Sequence, residues 1–307
     1  MLDRNPDISV VVPLQEHLCF DMTLKALAEQ QDLPFSSYEV IAVDGLYLRD
    51  WPSVIAGIRR QYPNIQLNFI QIENTRCRAR QLNIGLRAAR AEIVLMLADD
   101  FIPCPRLLSL HLEAHGDQRE EELVAIGPGL FPQDSRTNDF MSWLEDSGEL
   151  FGVSFTAPGL QLPPQYFYMA NTSLKRSFLR RAGEFDEDFP YDAMDDWEMG
   201  LRLAKLGMRN VYLQDAVAIH EHILDLPERC RAMRQAGETS AIYDAKHPRP
   251  GPWTSILAAS KVPYSRRKRE TREQRYKRIL WDHWKDGYKA GSSKRGKAPV
   301  VNSKTAN

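Results

Sequence analysis

The stretch IVLMLADDFIPCP, residues 93–105, decides the fold. Its first five residues, Ile93–Leu97, are all apolar and read as a strand buried on both faces. The run stops at two adjacent carboxylates, Asp99 and Asp100, and Pro103 then rules out a long central ladder. In an open α/β sheet, ligands gather at the carboxyl end of such a strand. Acids delivered to that edge suit Mg²⁺ or Mn²⁺ bridging a diphosphate, because these ions favour carboxylate oxygen and neutralise phosphate charge. Taken alone, the pair reads as an ordinary polar turn after a strand.

Working outward, ISVVVPL (residues 8–14) is a β-branched run closed by a proline and reads as the first buried strand. MTLKALAEQ has apolar residues at helical spacing, YEVIAVDG is a second strand ending at Asp44, VIAGIRRQY a helix and IQLNFIQIE a third strand. TRCRARQLNIGLRAARAE, rich in helix formers and arginine, leads into the central strand; LLSLHLEAHG reads as a helix and ELVAIGPGLF as one strand. Strands alternating with helices predict an α/β fold, a mostly parallel sheet with crossover helices. Residues 132–164 read as loop, with Pro, Gly, Asp and Ser recurring. In DDWEMGLRLAKLG, Met199, Leu203 and Leu206 form a helical stripe, which puts Asp195 and Asp196 at the helix start, where acids are also ordinary capping residues. AVAIHEHILDL alternates like a strand and would show His220 and His222 on one face.

The 307 residues are enough for one large α/β domain or two small ones. No apolar run approaches the roughly 18 residues of a membrane span, and the start lacks a signal-peptide layout, so the expected compartment is the cytoplasm. Four scattered cysteines predict free thiols rather than a zinc site or disulfide framework. Charge is uneven: residues 261–307 carry 15 Lys and Arg against 4 Asp and Glu, leaving 25 against 37 in the first 260. An acidic body of net −12 argues against a general nucleic-acid role.

The ordered series ISVVVPL, YEVIAVDG, RARQLNIGLRAARAEIVLMLADDFIP, MANTSLKRSFLRRAGEFDEDFPYDAMDDWEMGLRLAKLG and a late His in VAIHEH resembles the family-2 glycosyltransferases over about residues 8–225. The resemblance implies the GT-A (Rossmann-like) fold of the nucleotide-diphospho-sugar transferases. It also implies inverting, metal-assisted transfer of a hexosyl or N-acetylhexosaminyl group from a nucleotide-diphosphate sugar, UDP favoured. The acceptor would be a hydroxyl of a glycan, a lipid-linked molecule or a small molecule. By position, Pro13 and Glu16 match the loop around the nucleotide, although relatives often have Asn where Glu16 stands. Asp44 matches the carboxylate that reads uracil or ribose, and Arg80, with Asn83 and Gly85, the stretch near the diphosphate. Relatives carry Asp-x-Asp where this chain has Ala98-Asp99-Asp100, which makes Asp100 the expected ligand of Mn²⁺ or Mg²⁺, with Asp99 beside the donor. His220 and His222 are the candidates to complete the metal shell. Asp196 aligns with the catalytic base, with Asp195 and Trp197 at the acceptor, Asn171 near the donor sugar and residues 185–187 in the loop before the acceptor site.

The expected organisation is a GT-A domain over 1–247 (donor half 1–130, acceptor half 131–247), a Pro/Gly linker at 248–260, a basic amphipathic helical extension at 261–290 and a disordered tail at 291–307. The extension carries Tyr276, Ile279, Leu280, Trp281, Trp284 and Tyr288 among cations, which suits peripheral contact with the inner face of a membrane, docking on the body, or homo-oligomer pairing. Two other classes share some features: a nucleotidyltransferase, for which the Gly-rich triphosphate loop is absent from PLQEHLCF, and a catalytically silent relative, for which Ala98 is the hint.

Overall fold

The computed structural model describes residues 5–17, 19–116, 120–150, 162, 166–247 and 270–295. The chain divides into two compact units, Met1–Leu224 and Asp225–Asn307. The division falls earlier than the expected boundary after residue 247, because the helix at 226–246 packs with the C-terminal helix.

The first unit contains strands β1 (Ile8–Leu14), β2 (Tyr38–Asp44), β3 (Leu67–Gln71), β4 (Ile93–Leu97), β5 (Phe101–Pro103), β6 (Leu123–Ile126), β7 (Gly129–Leu130), β8 (Asn171–Lys175), β9 (Arg209–Tyr212) and β10 (Ala218–His220). Its helices are α1 (Phe20–Ala28), α2 (Trp51–Gln61), α3 (Arg78–Ala88), α4 (Leu107–Ala114), α5 (Asp139–Ser147), α6 (Arg176–Ala182) and α7 (Asp195–Lys205). Seven strands form one sheet in the order β3-β2-β1-β4-β8-β6-β9, parallel except for β8, which runs antiparallel to both neighbours. A small second sheet has the order β5-β10-β7.

Strand alternation builds a core on each face of the large sheet. Val10, Val12, Val40, Ala42 and Leu95 face one side, where α1, α2 and α4 contribute Phe20, Leu24, Trp51, Ile55 and Leu107. Val11, Ile41, Val43, Val94 and Met96 face the other, against Leu82 of α3, Phe178 of α6 and Met199 and Leu203 of α7. Burying one such side chain stabilises the fold by about 1.5–3 kcal/mol. At Gly85 helix α3 crosses so close to the sheet that a β-carbon would collide with Val11, so this glycine sets the helix-to-sheet spacing. Side-chain caps fix helix starts: Asp50 accepts from Ser53 N at 3.2 Å before α2, and Asn138 from Phe140 N and Met141 N at 2.9 and 3.0 Å before α5.

Four expectations need correcting. ELVAIGPGLF is two strands, β6 and β7, which enter different sheets. Helix α5 lies inside the expected loop; Phe140, Met141, Trp143 and Leu144 bury its apolar face, and Gly148 ends it in the left-handed conformation at φ 68°. Residues 151–161, 163 and 164 of that stretch lie outside the described residues. Strand β8 was not foreseen, and β10 ends at His220, so His222 follows the strand rather than sharing its face.

In the second unit, Asp225 caps α8 (Leu226–Lys246) by accepting from Glu228 N at 2.7 Å, and α8 packs along α9 (Arg272–Arg295). Gly237 and Gly287 sit where the helix backbones touch: a β-carbon on either would strike a main-chain carbonyl, of Trp284 and Arg234 respectively. Trp284 Nε1 donates to Ser240 Oγ at 3.2 Å and Tyr288 Oη to Asp244 Oδ2 at 2.7 Å, and Leu280 and Trp284 are buried. The aromatic face of the basic extension thus docks on α8. Helix α9 reaches Arg295, so residues 291–295, expected in a disordered tail, are helical. The expected linker at 248–260, residues 261–269 and residues 296–307 lie outside the described residues. Among the described residues no helix is long and apolar enough to cross a membrane.

Candidate active site

Three imidazoles converge on one carboxylate oxygen. Asp100 lies three residues past the end of β4 and immediately precedes β5, and β5 pairs antiparallel with β10 so that Phe101 lies opposite His220. The next backbone rung, Glu221 N to Asp100 O at 2.9 Å, extends the ladder. His220 Nε2 donates to Asp100 Oδ2 at 3.0 Å, its ring packed between Phe101 and Phe131, each with a centroid 5.3 Å away. His222 Nδ1 stands 3.9 Å and His17 Nε2 3.6 Å from the same Oδ2, and their rings are in contact at 4.3 Å. Burial pushes Asp100 up, but the His220 charge and hydrogen bond, then His17 and His222, more than offset it and hold the carboxylate at about 2. Asp99, beside it, has a backbone partner. It accepts from Gln15 N at 2.8 Å, and burial, then the Asp100 charge, push its carboxyl up to about 7. An anionic oxygen ringed by imidazole nitrogens is a chemically sound cation donor set.

The second carboxylate pair opens α7. Met194, immediately before it, is held in the left-handed region at φ 72°, a strained position for a side-chain-bearing residue at the entry to a site. Asp195 is 1% exposed and grips Arg78 with both oxygens, Nε to Oδ2 at 3.1 Å and Nη2 to Oδ1 at 2.6 Å. Arg78 Nη2 also lies 3.8 Å from Asp196 Oδ2. Burial pulls Arg78 down, but Asp195, then Asp196 and Asp192, hold the guanidinium firmly cationic. Asp196 has a quarter of its side chain exposed, and burial pushes its carboxyl up to about 6 against the pull of Arg78. Glu198 closes the acidic segment in a bidentate pair with Arg202, at 2.7 to 2.9 Å, which is structural.

The remaining expected residues are placed as follows. Pro13 is a buried strand residue opposite Val43, beyond the last β4 rung, rather than part of a loop. Glu16 is exposed in the following loop and pairs with Arg76. Asp44 ends β2, 1% exposed, its Oδ1 accepting from Leu46 N and Tyr47 N at 2.9 and 3.1 Å and its Oδ2 from Gln71 at 3.3 Å, so it braces the loop beside it. Arg80 turns outward to Glu73; Arg78, two residues earlier, is the arginine that faces the acids. Asn83 clamps the 185–187 loop, accepting from Phe185 N at 2.9 Å and donating to Phe185 O and Glu187 Oε1 at 3.0 and 2.9 Å. Asn171 is fully buried: it donates to Ala216 O at 2.8 Å and Pro128 O at 3.3 Å and pairs with His111 Nε2 at 3.0 Å, so its amide is spent inside the protein and not in a cleft. Trp197 is partly buried on the first turn of α7. His17 and Arg78 are the two site residues that the sequence reading passed over.

No family model matches the sequence. A glycosyltransferase of Bacillus subtilis (strain 168), itself described as uncharacterized, is 22% identical over 242 residues, covering 64% of this chain and 59% of that protein. The chain therefore spans less than two thirds of the relative's length. Among solved structures, a mannosyltransferase from Pyrobaculum calidifontis in complex with GDP-Man and Mn²⁺ superposes with a TM-score of 0.57 at 21% identity, covering 96% of this chain and 77% of that one. TarS from S. aureus in complex with UDP gives 0.55 at 16% identity, covering 75% and 64%. With this sheet order and these likenesses, the chain has the GT-A fold and is similar in sequence to a glycosyltransferase.

Proposed function

We propose that the protein is an inverting glycosyltransferase that moves a sugar from a nucleotide-diphosphate donor to an acceptor hydroxyl. The observation that carries this reading is the convergence of Asp100, His17, His220 and His222 at the carboxyl edge of β4 in a GT-A sheet. These residues fit a divalent cation: a low-lying carboxylate oxygen and neighbouring imidazole nitrogens are the ligand types that Mn²⁺ accepts. When bound, the cation would neutralise charge on the departing nucleotide diphosphate. Asp196 is the base. Its ionised carboxylate takes the proton of the acceptor hydroxyl as that oxygen attacks the anomeric carbon from the face opposite the leaving group. Arg78 and Asp195 hold that carboxylate in place, and Asp44 braces the loop that receives the nucleoside.

The solved neighbours are complexes with UDP and with GDP-Man, and both nucleotides are candidates for this chain. The acceptor is a glycan, a lipid-linked molecule or a small molecule. The test is a thermal-shift and turnover screen of UDP-, GDP-, TDP- and CMP-sugars with Mn²⁺, Mg²⁺ or chelator. A donor at about 100 times its dissociation constant raises stability by about 2.7 kcal/mol. A cation-dependent shift with one nucleotide series supports the reading. No shift and no donor turnover with any of them, in folded protein, overturns it.

A further inference from the structure

We propose that His17, Asp100 and His222 form a protein-only site for a borderline divalent cation, which loads in the absence of any nucleotide and takes His17 as a ligand. The inference rests on the glycosyltransferase reading only for the cation's purpose. The site itself stands on geometry.

The three ligand atoms all lie within 4.8 Å of one another. Two ligand atoms held 2.0–2.2 Å from a common ion are about 2.8–3.1 Å apart when adjacent in an octahedron and about 4.0–4.4 Å apart when opposite. The separations found here, 3.6 Å for His17 Nε2 and 3.9 Å for His222 Nδ1 to Asp100 Oδ2, fall inside that window. The carboxylate is prepared for the role: it is buried, and the His220 hydrogen bond at 3.0 Å fixes its orientation. His220 is accordingly a positioning residue, and His222 takes the ligand position. His17 and His222 each keep about a quarter of their side chain exposed, which leaves a path for the ion and for a donor.

The donor set also predicts selectivity. Mg²⁺ is ordinarily held by one or two carboxylates and by substrate phosphates, and it keeps its water reluctantly exchanged, so it gains little from imidazole. Two nitrogens and one carboxylate favour Co²⁺ and Zn²⁺ over Mn²⁺ and Mg²⁺. His17 reaches the aspartate from the loop after β1.

The experiment titrates chelator-treated full-length protein, without nucleotide, with Co²⁺ followed by visible absorption and with Mn²⁺, Zn²⁺ and Mg²⁺ followed by calorimetry. One equivalent of Co²⁺ or Zn²⁺ is expected to bind, with Mn²⁺ weaker and Mg²⁺ weakest. His17→Gln should weaken binding by about ten- to hundredfold or more and change the Co²⁺ spectrum, whereas His283→Gln, on α9, should leave both unchanged. Metal-free melting of His17→Gln at the wild-type temperature confirms that the loop variant is folded. Absence of nucleotide-free binding, or unchanged affinity and spectrum in His17→Gln, overturns the inference. Donor-dependent turnover measured in parallel separates the two claims. Turnover with His17→Gln binding metal normally sinks this site and spares the function, and a His17-dependent metal site without any donor effect does the reverse.

Discussion

Asp99-Asp100 and Asp195-Asp196 are both adjacent carboxylate pairs at element boundaries, but imidazoles gather around the first and a guanidinium holds the second. In each pair one member is spent on structure: Asp99 accepts from the Gln15 backbone, and Asp195 is locked by Arg78. The other member is the one to which the proposed mechanism gives a chemical role. The partners decide what it can do. Imidazoles can release an oxygen to a cation and join it as ligands, which suits Asp100. A guanidinium stays charged at any working pH and fixes geometry without competing for a proton, which suits a base. Exposure follows the same division, with the Asp100 side chain at 4% and that of Asp196 at 25%, open to an acceptor hydroxyl.

The largest test of this contrast is Asp196→Asn. Losing a general base is expected to lower turnover by about 10²–10⁴-fold, while the donor-induced thermal shift survives; near-normal turnover would break the assignment. Next comes Arg78→Met, which leaves buried Asp195 without its cation and should cost about 3–5 kcal/mol in a urea melt. Arg78→Lys keeps the charge, loses the fork and should cost less. If Arg78→Met melts like the wild type, the pair is not the anchor described.

His111 and His115 show what imidazoles do without a carboxylate, and they sharpen the comparison at the third level. Ser173 Oγ lies between them, 2.8 Å from His111 Nδ1 and 3.0 Å from His115 Nε2, and burial drives the rings down to about 3 and about 4. Because the folded values are depressed below the unfolded 6.5, their contribution is complete above that pH and is lost as pH falls through 6.5 towards 4. Each neutral ring should then lose about 1.4 kcal/mol of stability per pH unit, read as a falling urea midpoint. The raised carboxyls of Asp99 and Asp196 act in the opposite sense over the same range, so the reading is the difference between wild type and His115→Gln: an equal change of midpoint from pH 6.5 to 4.5 in both contradicts this. The smallest effect is catalytic: with Asp196 raised to about 6, its ionised form is present above that pH. kcat/KM should therefore fall about tenfold per unit below it, and a profile flat to pH 5 would point to another base.

Legibility in the sequence followed burial. Strands β1, β2 and β4 are apolar on both faces and could be read directly, as could the acids at their ends. Strand β8 could not, because NTSLK is polar and buried throughout, its side chains satisfied by distant partners: Asn171 by Ala216 and His111, Ser173 by two histidines, Lys175 by Glu121 at 3.5 Å. Helix α5 did leave a signal, an Asn138 cap, an apolar stripe and a closing Gly148, but it lay among turn residues that outweighed it. At the site, the choice between Arg78 and Arg80 depended on which face of α3 meets the acids, and local spacing does not contain that. His17 stands in a loop 83 residues before Asp100, and nothing in its neighbourhood marks it as a ligand.

The three rungs joining β5 to β10 also set which kinds of genetic change this chain can absorb. Ile102 and Ile219 are free to exchange for other β-formers, since the spacing from Asp100 to His220 is carried by main-chain pairing and not by their side chains. Adding or deleting one residue within 101–103 or 218–220 slides the pair by about 3.4 Å and brings a side chain from the opposite face to the aspartate. At this edge a single-codon insertion or deletion is therefore more damaging than most missense changes, and the length of these two strands, more than their spelling, is what selection has to keep.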